Sequence, residues 1–117
     1  MLKRAHRLVN PLDFRRVVRR GRRVTGKYVT MHIASPSAAL NKDEAVSATP
    51  ARIGFVVSKA VGPAVVRNRV KRRLRAIMSH ARLASGVELV VRALPTSATA
   101  TFIDLDAEVA RLLEHSR

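Results

Sequence analysis

Residues 60–85 contain no acidic residue, yet six of the nine residues from 67 to 75 are cationic. Five apolar residues, Val66, Val70, Leu74, Ile77 and Ala81, recur through the same stretch at helical spacing. At 100° per residue they fall within an arc of about 80°. A helix over residues 63–83 can therefore bury one narrow stripe and must leave its remaining circumference to cations. Arg67, Lys71 and Arg75 lie to one side of the stripe. Arg69 and Arg73 flank the other edge, while Asn68 and Arg72 point away. A solvated helix of this kind normally interleaves Glu with Lys for i, i+4 support. Here like charges stand three and four apart, an arrangement that favours a polyanionic partner over bare solvent. Arginine suits that role because its planar fork can bind phosphate oxygens in pairs.

The rest of the chain repeats the signal. Its 117 residues carry 23 Lys and Arg against 8 acids, a net charge of +15. Residues 1–82 hold 20 basic and 3 acidic residues, and residues 83–117 hold 3 basic and 5 acidic. Such self-repulsion destabilises a compact state until counter-charge arrives. Nucleic acid is the first candidate partner and an anionic membrane the second. The length is that of one domain with a modest core.

Other chemistries are excluded by residue type. With no cysteine there is no disulfide, thiolate zinc site or cysteine nucleophile. His6, His32, His80 and His115 show no metal-ligand spacing. No Gly-rich phosphate loop and no nucleophile with an adjacent base is present. Asp43 and Glu44 fall in a polar segment, and Asp104 and Asp106 suit a helix N-terminus. No apolar run at the N-terminus has signal-peptide length and no stretch is long enough to span a bilayer, so a cytoplasmic protein is expected.

Periodicity sets the order of elements. Residues 1–9 read as a basic arm. Asn10 is a candidate N-cap, with Pro11 at the first helical position, Asp13 in the first turn and Gly21 as the stop. Phe14, Val17 and Val18 form the apolar edge of that helix, and Arg15, Arg16, Arg19 and Arg20 take its other faces. Residues 22–34 give one long or two short strands, and residues 35–50 a mobile loop. Alternation at Ile53, Phe55 and Val57 gives another strand. Gly62-Pro63 precedes the basic helix, Gly86 closes it, and residues 87–94 form a strand ended by Pro95. Thr101 and Asp104 make a capping box for a last helix, whose buried face is Phe102, Leu105, Val109, Leu112 and Leu113. The expected architecture is α+β, an α/β sandwich of three to four strands with three helices covering one face, in a single domain spanning residues 1–117.

The stretch Ile53-Gly54-Phe55-Val56-Val57-Ser58-Lys59, then Val61-Gly62, then Ala64-Val65-Val66-Arg67-Asn68-Arg69-Val70-Lys71-Arg72-Arg73-Leu74-Arg75, resembles the protein subunit of bacterial ribonuclease P, with its so-called RNR motif at the centre. Residues 8–21 and 89–95 support the likeness, which runs over most of residues 2–113 apart from the loop. The resemblance implies a ribosomal-protein-like fold with a left-handed βαβ crossover through the long helix. It implies an accessory subunit of a ribonucleoprotein endonuclease that removes the 5′ leader of precursor transfer RNA. Catalysis would lie in an RNA subunit using magnesium, with no cofactor held by the protein and one protein copy in the holoenzyme.

Residue roles follow on the same terms. Arg67, Asn68, Arg69, Lys71, Arg72, Arg73 and Arg75 would contact the RNA subunit. Phe14, Val18, His32, Phe55, Lys59 and Arg92 match positions of a cleft for the single-stranded leader. Arg15, Arg19 and Arg22 would add basic contacts. Many family members carry a second aromatic where this chain has Val18, a Tyr at the position of His32, and a second Lys at that of Ala60. Two rival readings share the charge: a structural RNA-binding protein such as a ribosomal component, and a DNA-binding module. No paired short helices suggest the latter.

Overall fold

The structure is a computed structural model and describes residue 8 and residues 11–34, 51–81, 83 and 86–115. The basic arm (Leu8 excepted), Asn10 and the loop at 35–50 lie outside the described residues. Helix α1 spans Pro11–Arg20, with Asp13 in its first turn and Arg19 and Arg20 in its last, each sign matching the helix dipole. It stops at Gly21, whose N–H donates to Val17 O at 2.7 Å. A Cβ there would fall 2.4 Å from the same oxygen, so close backbone approach selects glycine.

Strands β1 (Arg22–Thr25) and β2 (Val29–Ala34) form a hairpin, so residues 22–34 make two short strands. Strand β3 (Arg52–Val56) leads through a short 3₁₀ turn (Lys59–Val61) to helix α2 (Ala64–Met78). Between them Gly62 adopts φ +153°, a conformation that side-chain-bearing residues avoid. Strand β4 (Glu88–Ala93), a second 3₁₀ turn (Pro95–Thr99) and helix α3 (Phe102–His115) complete the chain. The capping box forms in both directions: Asp104 N–H donates to Thr101 Oγ1 at 3.1 Å, and Thr101 N–H to Asp104 Oδ2 at 3.2 Å.

The sheet order is β1-β2-β4-β3. β1–β2 and β2–β4 are antiparallel. β3 and β4 are parallel, joined by the crossover through α2. One face carries Val29, Met31, Ile53, Leu89, Val91 and Ala93. Against it pack Val70, Leu74, Ile77 and Met78 of α2 and Leu105, Val109 and Leu112 of α3. Burying these side chains contributes roughly 1.5–3 kcal/mol each.

Three expectations are corrected. The helices do not all cover one face: α1 lies on the other, where Val17 packs with Leu8 and Val90. Helix α2 ends at Met78, short of residue 83, because the next turn tightens. His80 N–H reaches Ile77 O, Ala81 N–H reaches Met78 O, and Ser79 Oγ donates to Ala76 O. Phe102 is 43% exposed instead of buried. The buried line of α3 includes Glu108 beside Leu105, Val109 and Leu112, and its centre lies about 70° around the helix from Phe102.

Candidate nucleic-acid interface

The ladder register sorts the second sheet face into rows. Ala34, Glu88 and Arg52 form one, Arg23, His32, Val90 and Gly54 the next, and Thr25, Thr30, Arg92 and Val56 the third. Helix α1 sits over β2 and β4 at the first two rows, and its Phe14 ring reaches across to β3. Val17 is fully buried against Val90. The Phe14 ring lies over Gly54, where a Cβ would fall 2.3 Å from Phe14 Cζ. In the third row Thr25 and Arg92 are exposed and Val56 is half-buried beside the helix, whereas Thr30 is buried. The result is an open groove of about 470 Å³ lined by Phe14, Arg15, Val18, Arg19 and Val56. Its walls are apolar carbon and its rim is guanidinium, a surface on which a base can stack while its phosphates meet cations.

The expected leader residues separate into two sets. Phe14 and Val18 come together in the groove, joined there by Arg15 and Arg19, two of the expected additional basic contacts. Arg92 is exposed in the row of Val56, and Lys59 is exposed just beyond β3. His32 shares the face but is buried, and its Nδ1 has no hydrogen-bond partner among the described residues. Burial, aided by Arg23 and Arg92, pushes its pKa down, so the ring is neutral at pH 7. Phe55 has the opposite parity and packs into the core under α2 and α3, away from the groove. Arg22 pairs with Ile33 and shares the parity of Val24, whereas Arg23 pairs with His32 on the groove face. Sequence reasoning had missed Val56 and Arg23. Both follow from cross-strand register, Val56 from the pairing of Gly54 with Val90 and Arg23 from its pairing with His32.

Across the sheet, α2 presents its cations. Asn68 and Arg72 are exposed, and Arg67, Lys71 and Arg75 are half-buried. Arg69 and Arg73 are also half-buried and pre-oriented: Arg69 Nη2 donates to Ala98 O at 3.0 Å and Arg73 Nη1 to Ala100 O at 2.8 Å. Arg67 Nε donates to Gly62 O at 3.1 Å. None of the α2 cations pairs with an acid among the described residues. Anchoring by one nitrogen leaves further donors on each fork and lowers the entropy lost when phosphate binds.

Two carboxylates absent from the sequence reading organise these surfaces. Glu108, 5% exposed, accepts from the backbone N–H groups of Lys27 (2.6 Å), Tyr28 (2.7 Å) and Val29 (2.8 Å), and so fixes the hairpin turn from α3. Glu88 accepts two hydrogen bonds from Arg16 (2.5 and 2.8 Å) and one from Arg52. These partners, the Arg16 hydrogen bond foremost, hold Glu88 below its usual carboxylate range and hold Arg16 above the usual guanidinium range.

A small mixed sheet with a cation-bearing crossover helix on one face and an arginine-rimmed apolar groove on the other defines an RNA-binding protein. Comparison gives the particular family. The ribonuclease P family model matches residues 2–117. The "Ribonuclease P protein component" of Streptomyces avermitilis is 48% identical over 119 residues, covering 97% of this chain and 96% of the relative. That of a Nocardioides species is 44% identical over 115 residues, covering 97% and 92%. The chain belongs to the ribonuclease P protein family. Solved structures of RNase P proteins share its fold: Staphylococcus aureus, TM-score 0.78 at 22% identity over 96% of this chain and 95% of that one, and Thermotoga maritima, 0.75 at 20% identity over 95% and 97%.

Proposed function

We propose that this protein holds two RNAs at once, the ribonuclease P RNA along α2 and the 5′ leader of precursor transfer RNA in the groove beside α1. The observation that supports the reading is that α2 and the groove lie on opposite faces of one sheet, so that RNA on one surface would leave the other free. Along α2, Arg67, Asn68, Arg69, Lys71, Arg72, Arg73 and Arg75 bind phosphates of the RNA subunit. In the groove, Phe14, Val18 and Val56 receive leader bases, and Arg15, Arg19, Arg92 and Lys59 meet the leader phosphates. His32, neutral and buried between Arg23 and Arg92, contributes shape and a hydrogen-bonding nitrogen rather than charge.

The chain's residues position and neutralise. Cleavage itself is assigned to the RNA subunit and its magnesium, and the arginine-rimmed groove, which repels cations, is not a site for that metal. By replacing repulsion between two RNAs with attraction to arginine, the protein lowers the magnesium concentration that cleavage requires. It acts as one copy per holoenzyme, in the cytoplasm. No helix among the described residues is long and apolar enough to cross a membrane.

The test is cleavage of a precursor transfer RNA by the bacterial RNA subunit at low magnesium, with and without this protein. Restored cleavage, with the protein alone inert, is the expected result. Tight RNA binding without any gain in cleavage would overturn the assignment in favour of a purely structural RNA-binding role.

A further inference from the structure

The only acids outside α3 among the described residues are Asp13 and Glu88. Both sit in one ring of four charges on the groove face. Arg16 bridges them, with Nη1 on Glu88 Oε1 at 2.5 Å and Nη2 on Glu88 Oε2 at 2.8 Å and on Asp13 Oδ1 at 2.9 Å. Arg52 closes the ring onto Glu88, with Asp13 3.7 Å away on its other side. The Glu88 side chain is 14% exposed, so the pairing is partly shielded from water. The ring joins α1 to β3 and β4 at the row beside the one that seats Phe14.

The local electrostatics explain why such a ring is needed. Helix α1 carries four arginines and the sheet face beneath it carries Arg23, Arg52 and Arg92. Like charges would separate helix from sheet before any RNA arrives. The apolar seat is small: Val17, Phe14 and Leu8 against Val90, Ala34 and Val56. Glu88 on the sheet and Asp13 on the helix turn that repulsion into attraction, and the bidentate Arg16–Glu88 pair fixes the helix in angle as well as distance.

We infer that Glu88, through Arg16, is a positioning residue for leader recognition: it seats α1 on the sheet so that Phe14 and Val18 stand at the groove wall facing Val56. Glu88 is outside the residues that line the groove and acts through the helix it holds. The inference rests on the groove being the leader site.

The test uses holoenzyme reconstituted with the RNA subunit and compares affinity for precursor and mature transfer RNA, corrected for the fraction of active protein. Glu88→Gln is expected to lower the precursor-to-mature affinity ratio by about 2–30-fold, the range for residues that modulate a site without touching its ligand. RNA-subunit affinity stays at the wild-type value. Arg16→Gln removes the same contact from the helix side and is expected to lower the ratio likewise, and the double variant Arg16→Gln with Glu88→Gln is expected to lower it no further than the larger single loss; fully additive losses overturn the inference. A role in stability alone lowers the active fraction and leaves the ratio unchanged, which overturns the inference. Phe14→Ala separates the two levels. If it lowers the ratio while Glu88→Gln does not, the groove stands and the positioning role fails. If neither variant lowers it, the groove reading itself fails. Should Glu88→Gln not fold, Glu88→Asp keeps the charge and retracts it by one methylene: a lowered ratio supports the inference and an unchanged one overturns it.

Discussion

The ring of Phe14 occupies the space that a side chain on Gly54 would need: a Cβ there would lie 2.3 Å from Cζ and 2.6 Å from Cε1. Gly54→Ala must therefore lift Phe14 from its seat. We expect about 1–3 kcal/mol of destabilisation together with weaker binding of leader-bearing transfer RNA. Phe14→Ala is expected to weaken precursor binding while sparing mature transfer RNA. Equilibrium titration of both RNAs with both variants checks this, and equal losses for the two RNAs would mean that Phe14 is core alone.

Arg69 and Arg72 should behave differently on α2. Each phosphate contact removed lowers the salt slope of RNA-subunit binding by about 1. Arg72→Ala, at an exposed site, is expected to do only that. Arg69→Ala also frees the Ala98 carbonyl, so thermal stability should drop as well. Binding measured across a salt series, beside melting curves, distinguishes the two. An unchanged slope for either variant removes that residue from the interface.

Glu108 satisfies three backbone N–H groups that would otherwise be shielded by α3. Glu108→Ala is expected to cost about 2–4 kcal/mol in urea unfolding. Gly26→Ala should act on the same contact, because its Cβ would fall 2.5 Å from Glu108 Cδ. Affinity for RNA per folded molecule should be unchanged by Glu108→Ala. A matching loss of affinity would place the hairpin turn in the interface.

Two titrations act in separate windows. The folded pKa of Glu88 lies below its ordinary 4.5, so the unfolded chain binds the proton more readily. The ring's contribution is complete above pH 4.5 and is lost as pH falls through the lowered value. His32 is lowered from 6.5 by burial, so its environment stabilises the fold fully above pH 6.5 and progressively less below it. Melting temperatures of wild type, Glu88→Gln and His32→Gln across pH should differ in those two ranges respectively. A His32→Gln curve parallel to wild type near pH 6 would refute the burial argument.

What could be read in advance was what repeats locally. The α2 stripe as far as Ile77, the Thr101–Asp104 box, the Gly21 stop and the alternation in β3 depend on neighbours within a few residues, and the structure shows each of them. Phe14 and Val18 share one edge of α1, as helical spacing expects, and line one groove. Phe55 and Arg22 take the strand parity opposite to the groove, and that side is set by cross-strand register, which local spacing does not reveal. Glu108 reads as a solvated helix acid until α3 is laid across the hairpin some 80 residues earlier. The Glu88–Arg16 contact spans 72 positions, and no spacing rule reaches that far. Phe102 was misplaced for the same reason: without Glu108 counted among the buried residues, the stripe of α3 appears rotated towards the aromatic.

The sheet with a helix on each side also sets a distance. Helix and sheet layers stack at roughly 10 Å each, so polyanions lying on α2 and in the groove are held on the order of 20 Å apart. At physiological ionic strength the Debye length is about 8 Å. On the proposed function, two RNA backbones bound on these faces would sit more than two screening lengths from each other. Each would meet the protein's arginines at contact range, while the width of the sheet keeps the strands apart and the mobile ions in the solvent around the protein screen one from the other.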